Sequence, residues 1–552
     1  MHPRLGKLLA ALTAMVILAA CGAPAATQSP TTSTTAPATQ AATAPQATTA
    51  PAVEATTAPA AEATTEAAAV PSQTFKVKFW EHGPYTRAEM PAEDFQKAYI
   101  LENYGLDVAL EAAPADGGDA KLNALIAAGD LPDIIQGYFS VSNPLFQQWV
   151  QQGVLLPVDE YLNSTPELAG LLDDSRWAYL RMDGKTWGVA PPSGPNQSVT
   201  WVRQDWLDKL GLKAPTTVEE LGEIAKAFAA NDPDGNGQAD TYGFTSYSGD
   251  SNGFERLGSA FAPLGAYPGR NHIVVKDNEA VFTAFSPEAK AALEWWHGLV
   301  EAGAVDPDWV TNKFENWRES VAQGKVGIVT AQYQLLREFD GPETLGKEIK
   351  AVNPDANWVM LPALKGPAGE YVEFAGSGIG NAFLLTRAAA SEPGKAEAIM
   401  KFLNDAMNPT SETYRQMAWG RPGADFEPDK DNNPVRRLNT DPERAWMGYY
   451  RVFRSPVPQT NKVFFADEPD LFQRWETASK LPLLPNVTSL VPAHEASPDL
   501  DTYILEMHTK FALGEESFDN WDSFVETAMS QYRGQEVVDA ATEQLRTVGA
   551  IK

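Results

Sequence analysis

Phe75-Lys76-Val77-Lys78-Phe79-Trp80 alternates apolar and charged residues, and Ala128-Gly129-Asp130-Leu131-Pro132-Asp133-Ile134-Ile135 turns into a short apolar run. The first stretch reads as a strand, broken by Glu81-His82-Gly83-Pro84; the second reads as a turn followed by a buried strand. Between them the pattern predicts a helix from Glu89 to Tyr104 and a strand from Leu106 to Glu111. It predicts a second helix from Asp119 to Ala128, with Leu122, Leu125 and Ile126 at helical spacing. Strand and helix alternating in this order predict an α/β fold, a parallel sheet with helices on its faces. Ligands bind such sheets beyond the C-terminal ends of the strands. That rule sets Trp80, Glu81, Gln136 and Tyr138 at the mouth of a cleft, with packing in the core or on the surface as the alternative for each.

Ahead of this sheet the chain carries Arg4 and Lys7, an apolar run from Leu8 to Ala20, and the tetrapeptide Leu18-Ala19-Ala20-Cys21. A charged region, an apolar region and small residues at a cleavage point form a signal peptide over 1–20. The sole cysteine sits where a bacterial lipobox places its lipid-bearing thiol, so Cys21 is the expected lipidation site. The expected location is therefore the outer face of the cell membrane, held there by palmitate-type acyl chains. Residues 21–72 are almost entirely Ala, Thr, Pro, Gln and Ser, too poor in large apolar groups to offset chain entropy. They read as a disordered tether.

The remaining 73–552 exceed the size at which one core stops growing, so two lobes are expected. The net charge of −29 becomes −31 once Arg4 and Lys7 leave, which argues against nucleic acid as a partner. Without a second cysteine there is no disulfide, thiolate metal site or cysteine nucleophile. Fifteen tryptophans and sixteen tyrosines suggest aromatic faces in a binding cleft, where they stack on the C–H faces of sugars.

Asn231-Asp232-Pro233-Asp234-Gly235-Asn236-Gly237-Gln238-Ala239-Asp240 has the spacing of an EF-hand loop. Asp232, Asp234, Asn236 and Asp240 fall at positions 1, 3, 5 and 9, Gly237 at the sharp turn, and Gln238 where a main-chain carbonyl binds. A structural Ca2+ on the second lobe is expected. Gly243 replaces the bidentate glutamate at position 12, so Thr241, water or another segment would finish the shell; a metal-free turn is the alternative.

Several segments in order resemble family 1 extracellular solute-binding proteins, the carbohydrate-capturing lipoproteins of ABC importers related to maltose- and alginate-binding proteins. They are Ala128 to Ile135, Gln151-Gln152-Gly153-Val154-Leu155-Leu156-Pro157-Val158-Asp159 and the crossing stretch Thr200 to Gly211. Pro215 to Leu221 follows, with Thr217 as helix N-cap and Glu220 as its reciprocal partner. Gly324-Lys325-Val326-Gly327-Ile328 and Lys395 to Leu403 complete the series. The resemblance implies a two-lobed periplasmic-binding-protein type II fold with hinge crossovers near 195–200 and 374–378. Lobe 1 would hold 73–195 and 376–425, and lobe 2 would hold 196–375 and 426–552. It implies a monomer that captures a carbohydrate, an oligosaccharide by the chain's size, and delivers it to importer membrane subunits. The expected ligand-binding aromatics are Trp80, Tyr138, Trp201, Tyr247, Tyr333 and Trp419; the polar candidates are Glu81, Arg203 and Asp250. Tyr333 follows the strand where relatives stack an aromatic, and Trp419 precedes a glycine loop near ligand.

No histidine pair has zinc spacing, and no P-loop or Gly-x-Ser-x-Gly elbow occurs. No catalytic residue is therefore expected. The alternatives are a surface-tethered glycoside hydrolase or lyase using an Asp/Glu pair, and an adhesion lipoprotein with a vestigial cleft.

Overall fold

The alternation at the start of the folded region builds its first sheet. The computed structural model describes residues 73–81, 89–114, 117–194, 198–247, 254, 256–269, 272–338, 344–438, 442–453 and 458–552. The leader at 1–20, Cys21, the tether at 21–72 and Asp250 lie outside them. Strand β1 (Phe75–Glu81) is followed by helix α1 (Phe95–Tyr104), β2 (Leu106–Ala112), α2 (Gly118–Ala127) and β3 (Ile134–Gly137). Helix α1 starts later than its periodicity suggests because Asp94 caps it, accepting from the Gln96 and Lys97 amides at 3.0 Å. Both β2 and β3 run parallel to β1, as the strand–helix alternation requires.

The chain then enters a second four-stranded sheet. Its strands are β4 (Ser198–Arg203), β5 (Tyr242–Phe244), β6 (Val326–Gln332) and β7 (Trp358–Met360), in the spatial order β7-β4-β6-β5. Strand β4 runs antiparallel to both β6 and β7, whereas β5 and β6 are parallel. Helix α3 (Val218–Ala230) packs on this sheet. Its cap Thr217 accepts from the Glu220 amide at 3.2 Å, but the Glu220 carboxylate turns to the Thr216 amide and hydroxyl instead of to Thr217. Gly327 on β6 explains the glycine spacing there. A Cβ at this position would lie 2.2 Å from the Phe228 ring of α3 and 2.7 Å from the Trp206 ring. Gly327→Ala is expected to cost about 1–3 kcal/mol by forcing helix and strand apart, read as a lower urea midpoint at unchanged m-value.

Strand β8 (Ala382–Leu385) returns to the first sheet, antiparallel to β3, completing the order β8-β3-β1-β2. The outgoing and returning segments run side by side. Ser193 N–H donates to Gly378 O at 2.9 Å, and Gly380 N–H donates to Pro191 O at 2.7 Å. Helix α4 (Pro287–Glu301) belongs to the middle of the chain, α5 (Lys395–Met407) packs on α1, and α6 (Pro469–Ala478) adds Leu471 and Trp475 to the second sheet's core. Helix α7 (Ser497–Leu513) packs on α4. Within 426–552, expected in the second lobe, one segment contacts the first sheet. Phe453 stacks on Phe383 of β8 at 5.1 Å and lies 6.0 Å from Phe79 of β1, while the Tyr450 hydroxyl donates to Asp94. An apolar aromatic run pairs with whichever exposed sheet face lies nearest, and no local pattern announces which one that is. No helix among the described residues is long and apolar enough to cross a membrane.

Candidate functional site

Glu81 ends β1 and sits in register with Gln136 on β3. Both side chains are fully buried at 0% exposure. Neither carboxylate oxygen of Glu81 and neither amide atom of Gln136 has a hydrogen-bond partner. Each such orphan costs on the order of 1–3 kcal/mol. All four lie at the C-terminal ends of two parallel strands, the end at which ligands bind such sheets. Burial pushes the Glu81 carboxyl up to about 8. Tyr138, two residues beyond Gln136, is 71% exposed. Trp80 differs from the expectation. Neighbouring strand residues point to opposite faces, and Trp80 is buried at 1% exposure, with Lys121 Nζ 5.4 Å from its ring centre.

In the second sheet Trp201, Tyr247 and Tyr333 share one aromatic cluster with Trp317, Phe465 and Trp475. Strands β5 and β6 are parallel, so Tyr247 and Tyr333, which follow them, emerge at the same edge. The Trp201 indole N–H reaches Gln332 O at 3.2 Å, and the Arg474 guanidinium lies 6.0 Å from the Trp201 ring centre. Arg256 donates to the Tyr247 hydroxyl at 3.3 Å. Burial holds the Arg474 guanidinium below its ordinary value, against the opposing pull of Asp470, Glu468 and Tyr333. Sequence reasoning missed Arg474 and Arg256, because neither sits in a motif and α6 reaches the sheet from far along the chain.

Arg203 lies apart from these tyrosines. Strand β4 runs against β6, so its C-terminal Arg203 falls at the opposite edge from Tyr247 and Tyr333. There its guanidinium is 2% exposed, donates twice to Asp205 (2.8 and 2.5 Å) and lies 4.6 Å from the Trp206 ring centre. Trp419 is likewise buried, in a separate cluster with Tyr414, Ala418 and Phe426.

The acidic loop takes the turn its spacing predicts. Gly237 has φ +79°, and Asp232 accepts from the amides of Gly235, Asn236 and Gly237 at 3.0–3.1 Å. Asn236 Nδ2 donates to Asp234 (2.8 Å) and Asp240 (3.0 Å), so both carboxylates converge on one N–H2 group. Burial raises the Asp234 carboxyl, helped by the bond to Asp232 and repulsion from Asp240. That is a surplus of negative charge which a cation relieves, and the donor set of Asp232, Asp234, Asn236, the Gln238 carbonyl and Asp240 suits a hard cation. Among the described residues no three His, Cys, Asp or Glu side chains are gathered closely enough to hold a metal alone. The Thr241 hydroxyl donates to Phe228 O at 2.9 Å, which leaves its oxygen lone pairs for a cation. Position 12 is glycine because α3 lies against it: a Cβ on Gly243 would sit 2.4 Å from that of Ala225.

Two α/β sheets joined by paired crossing segments, with polar side chains buried at the strand ends, define a solute-binding architecture. The chain belongs to the bacterial extracellular solute-binding protein family, whose model matches residues 92–422, more than half of its length. It is 28% identical over 339 residues to the fructooligosaccharide ABC transporter substrate-binding protein FusA of Streptococcus pneumoniae. That match covers 58% of this chain and 59% of FusA. It is 25% identical over 342 residues to the polygalacturonan/rhamnogalacturonan-binding protein YtcQ of Bacillus subtilis, covering 61% of this chain and 64% of YtcQ. The chain thus matches about three fifths of the length of these two relatives. Lipoprotein LipO of Bacillus subtilis is 24% identical over 459 residues, 80% of this chain and 87% of LipO. FusA in complex with kestose superimposes with a TM-score of 0.61 at 20% identity, covering 86% of this chain and all of FusA's solved chain, which establishes the fold. FusA is also known as an EF-hand mutant in complex with fructo-nystose, at TM-score 0.60, 20% identity and the same coverage.

Proposed function

We propose that this protein captures a neutral oligosaccharide outside the cell, held to the membrane by a lipid on Cys21, and delivers it to an ABC importer. The observation that carries the reading is the buried Glu81–Gln136 pair, four unpartnered polar atoms at the strand ends of a chain from a solute-binding family. Sugar hydroxyls both donate and accept, so they suit a carboxyl beside a carboxamide. The exposed ring of Tyr138 supplies stacking area on the first sheet, and Tyr247 and Tyr333, 8% and 6% exposed in their aromatic cluster, offer a smaller area on the second. Lobe 1 would carry the first sheet and lobe 2 the second, and a ligand touching both would favour the closed form by its differential affinity. FusA and YtcQ, whose names refer to sugar polymers, support a carbohydrate; LipO supports the lipid anchor.

A thermal-shift screen over neutral oligosaccharides tests the reading, since a tight ligand raises the melting temperature by mass action. Tyr138→Ala and Tyr333→Ala are each expected to weaken the best ligand roughly tenfold, as loss of a stacking face of about 1–1.5 kcal/mol. Unchanged affinity by calorimetry in both would remove these rings from the site. Shortened sugar products after incubation would favour the hydrolase instead.

We also propose that Asp232, Asp234, Asn236, Gln238 and Asp240 hold a structural Ca2+. The FusA EF-hand mutant supports such a loop in a relative. Adding Ca2+ to chelator-treated protein is expected to raise the melting temperature, and Asp234→Ala is expected to abolish that rise. An equal rise in the variant would rule out this loop.

A further inference from the structure

We propose that Glu81 couples ligand capture to the release of a proton, so that the protein holds its sugar more tightly as the pH rises. This rests on the carbohydrate reading above and assigns a regulation to the same site. The geometry carries it. Glu81 is fully buried at the end of β1, both carboxylate oxygens lack a partner, and the one polar side chain in register with it is Gln136, equally buried and equally unpartnered.

Several charged side chains of the elements around it are committed elsewhere, and Lys76 on β1 is exposed. On β1 itself, Lys78 pairs with Asp130. On β2, Glu111 pairs with Lys121 of α2 at 2.5 Å. Ahead of β3, Asp133 pairs with Lys395 of α5 at 2.8 Å. Among the described residues no cation faces Glu81 to hold it ionised. Burial alone governs it, and in the ligand-free protein the carboxyl keeps its proton to about pH 8.

A sugar changes that balance. Two hydroxyls donating to a carboxylate make charge-assisted bonds, roughly twice as strong as bonds to a neutral acid. The bound ligand therefore favours the ionised form. The step balances simply: the acid O–H breaks, its proton passes to solvent, and the carboxylate accepts the hydroxyl hydrogens. Below about pH 8 the ligand must expel that proton, so affinity falls by up to about tenfold for each pH unit. Above it the carboxyl is already ionised and affinity levels off. The same charge disfavours anionic sugars at this subsite.

Two measurements decide the matter. The first needs no ligand. Folded Glu81 titrates at about 8 against an ordinary 4.5, so the unfolded chain ionises first and stability falls as pH rises between those values. The folding free energy of the wild type relative to Glu81→Gln should therefore drop steadily from pH 5 to 8; a flat difference overturns the proposal. The second is calorimetry with kestose, raffinose and maltotriose at pH 6, 7 and 8, in two buffers of contrasting protonation enthalpy. Wild type is expected to bind at least one sugar with rising affinity and net proton release. Glu81→Gln, which cannot ionise, is expected to bind it independently of pH. Tight binding by the wild type at equal affinity across the range sinks the coupling and leaves the carbohydrate reading standing. No binding by any of the three sinks both.

Discussion

Lys395→Met is expected to cost about 3–5 kcal/mol of folding free energy, the usual penalty for stranding one member of a buried ion pair. Lys395 opens α5 and meets Asp133 at 2.8 Å; their side chains are 6% and 4% exposed. The other Asp133 oxygen accepts the Lys78 amide of β1 at 2.7 Å. One carboxylate thus ties β1, the start of β3 and α5 together. Without the lysine it keeps a single amide partner in a dry environment. Asp133→Asn in the Lys395→Met background is expected to recover much of the loss, because a neutral amide can still accept the Lys78 N–H while shedding the buried charge. Urea unfolding of the two variants checks this. A cost below about 1 kcal/mol for Lys395→Met would mean that solvent reaches the pair. The pair also holds β3, whose far end carries Gln136 and Tyr138, so the single variant should weaken ligand binding as well.

The second large effect is an acid-sensitive histidine. His508 on α7 is fully buried, accepts the Gly269 amide through Nδ1 at 2.9 Å and donates through Nε2 to Ala284 O at 3.0 Å. Its ring stacks on Trp521. Both nitrogens are used by the neutral form, and a second proton would face the Gly269 N–H. Burial pushes its titration down to about 4, against the opposing Ala284 bond. The unfolded chain takes up a proton near pH 6.5 and the folded chain only near 4, so the stabilisation is complete above 6.5 and lost as pH falls between the two. The loss amounts to about 3 kcal/mol. Unfolding free energies at pH 7 and pH 4.5 for wild type and His508→Gln measure it. The variant should lack this part of the acid slope, and equal slopes in the two proteins would refute the assignment.

The start of the fold was legible because its signals are local. Alternation over residues 75–80 and helical spacing at Leu122, Leu125 and Ile126 predicted elements that form in β1 and α2. The acidic loop was legible for the same reason, its turn being written in consecutive residues. Glu81 was reachable by the rule for strand ends, although nothing in its neighbourhood announced that it would be buried without a partner. That Arg203 lies at the other end of the sheet from Tyr333 was not legible, because a strand's direction within its sheet is not encoded in the strand. Trp80, Trp201 and Trp419 read alike as bulky aromatics, and all three are buried, while Tyr138 stays exposed.

Sequence by itself determined which elements form and in what order, since helix and strand periodicity depend on residues a few positions apart. Tertiary structure alone decided that β4 runs against its neighbours, that 442–453 leans on the first sheet, and that Lys395 meets Asp133. It also decided that Glu81 and Gln136 are left without partners. Each of these is a meeting of residues far apart in the chain, fixed by which apolar faces can be buried together.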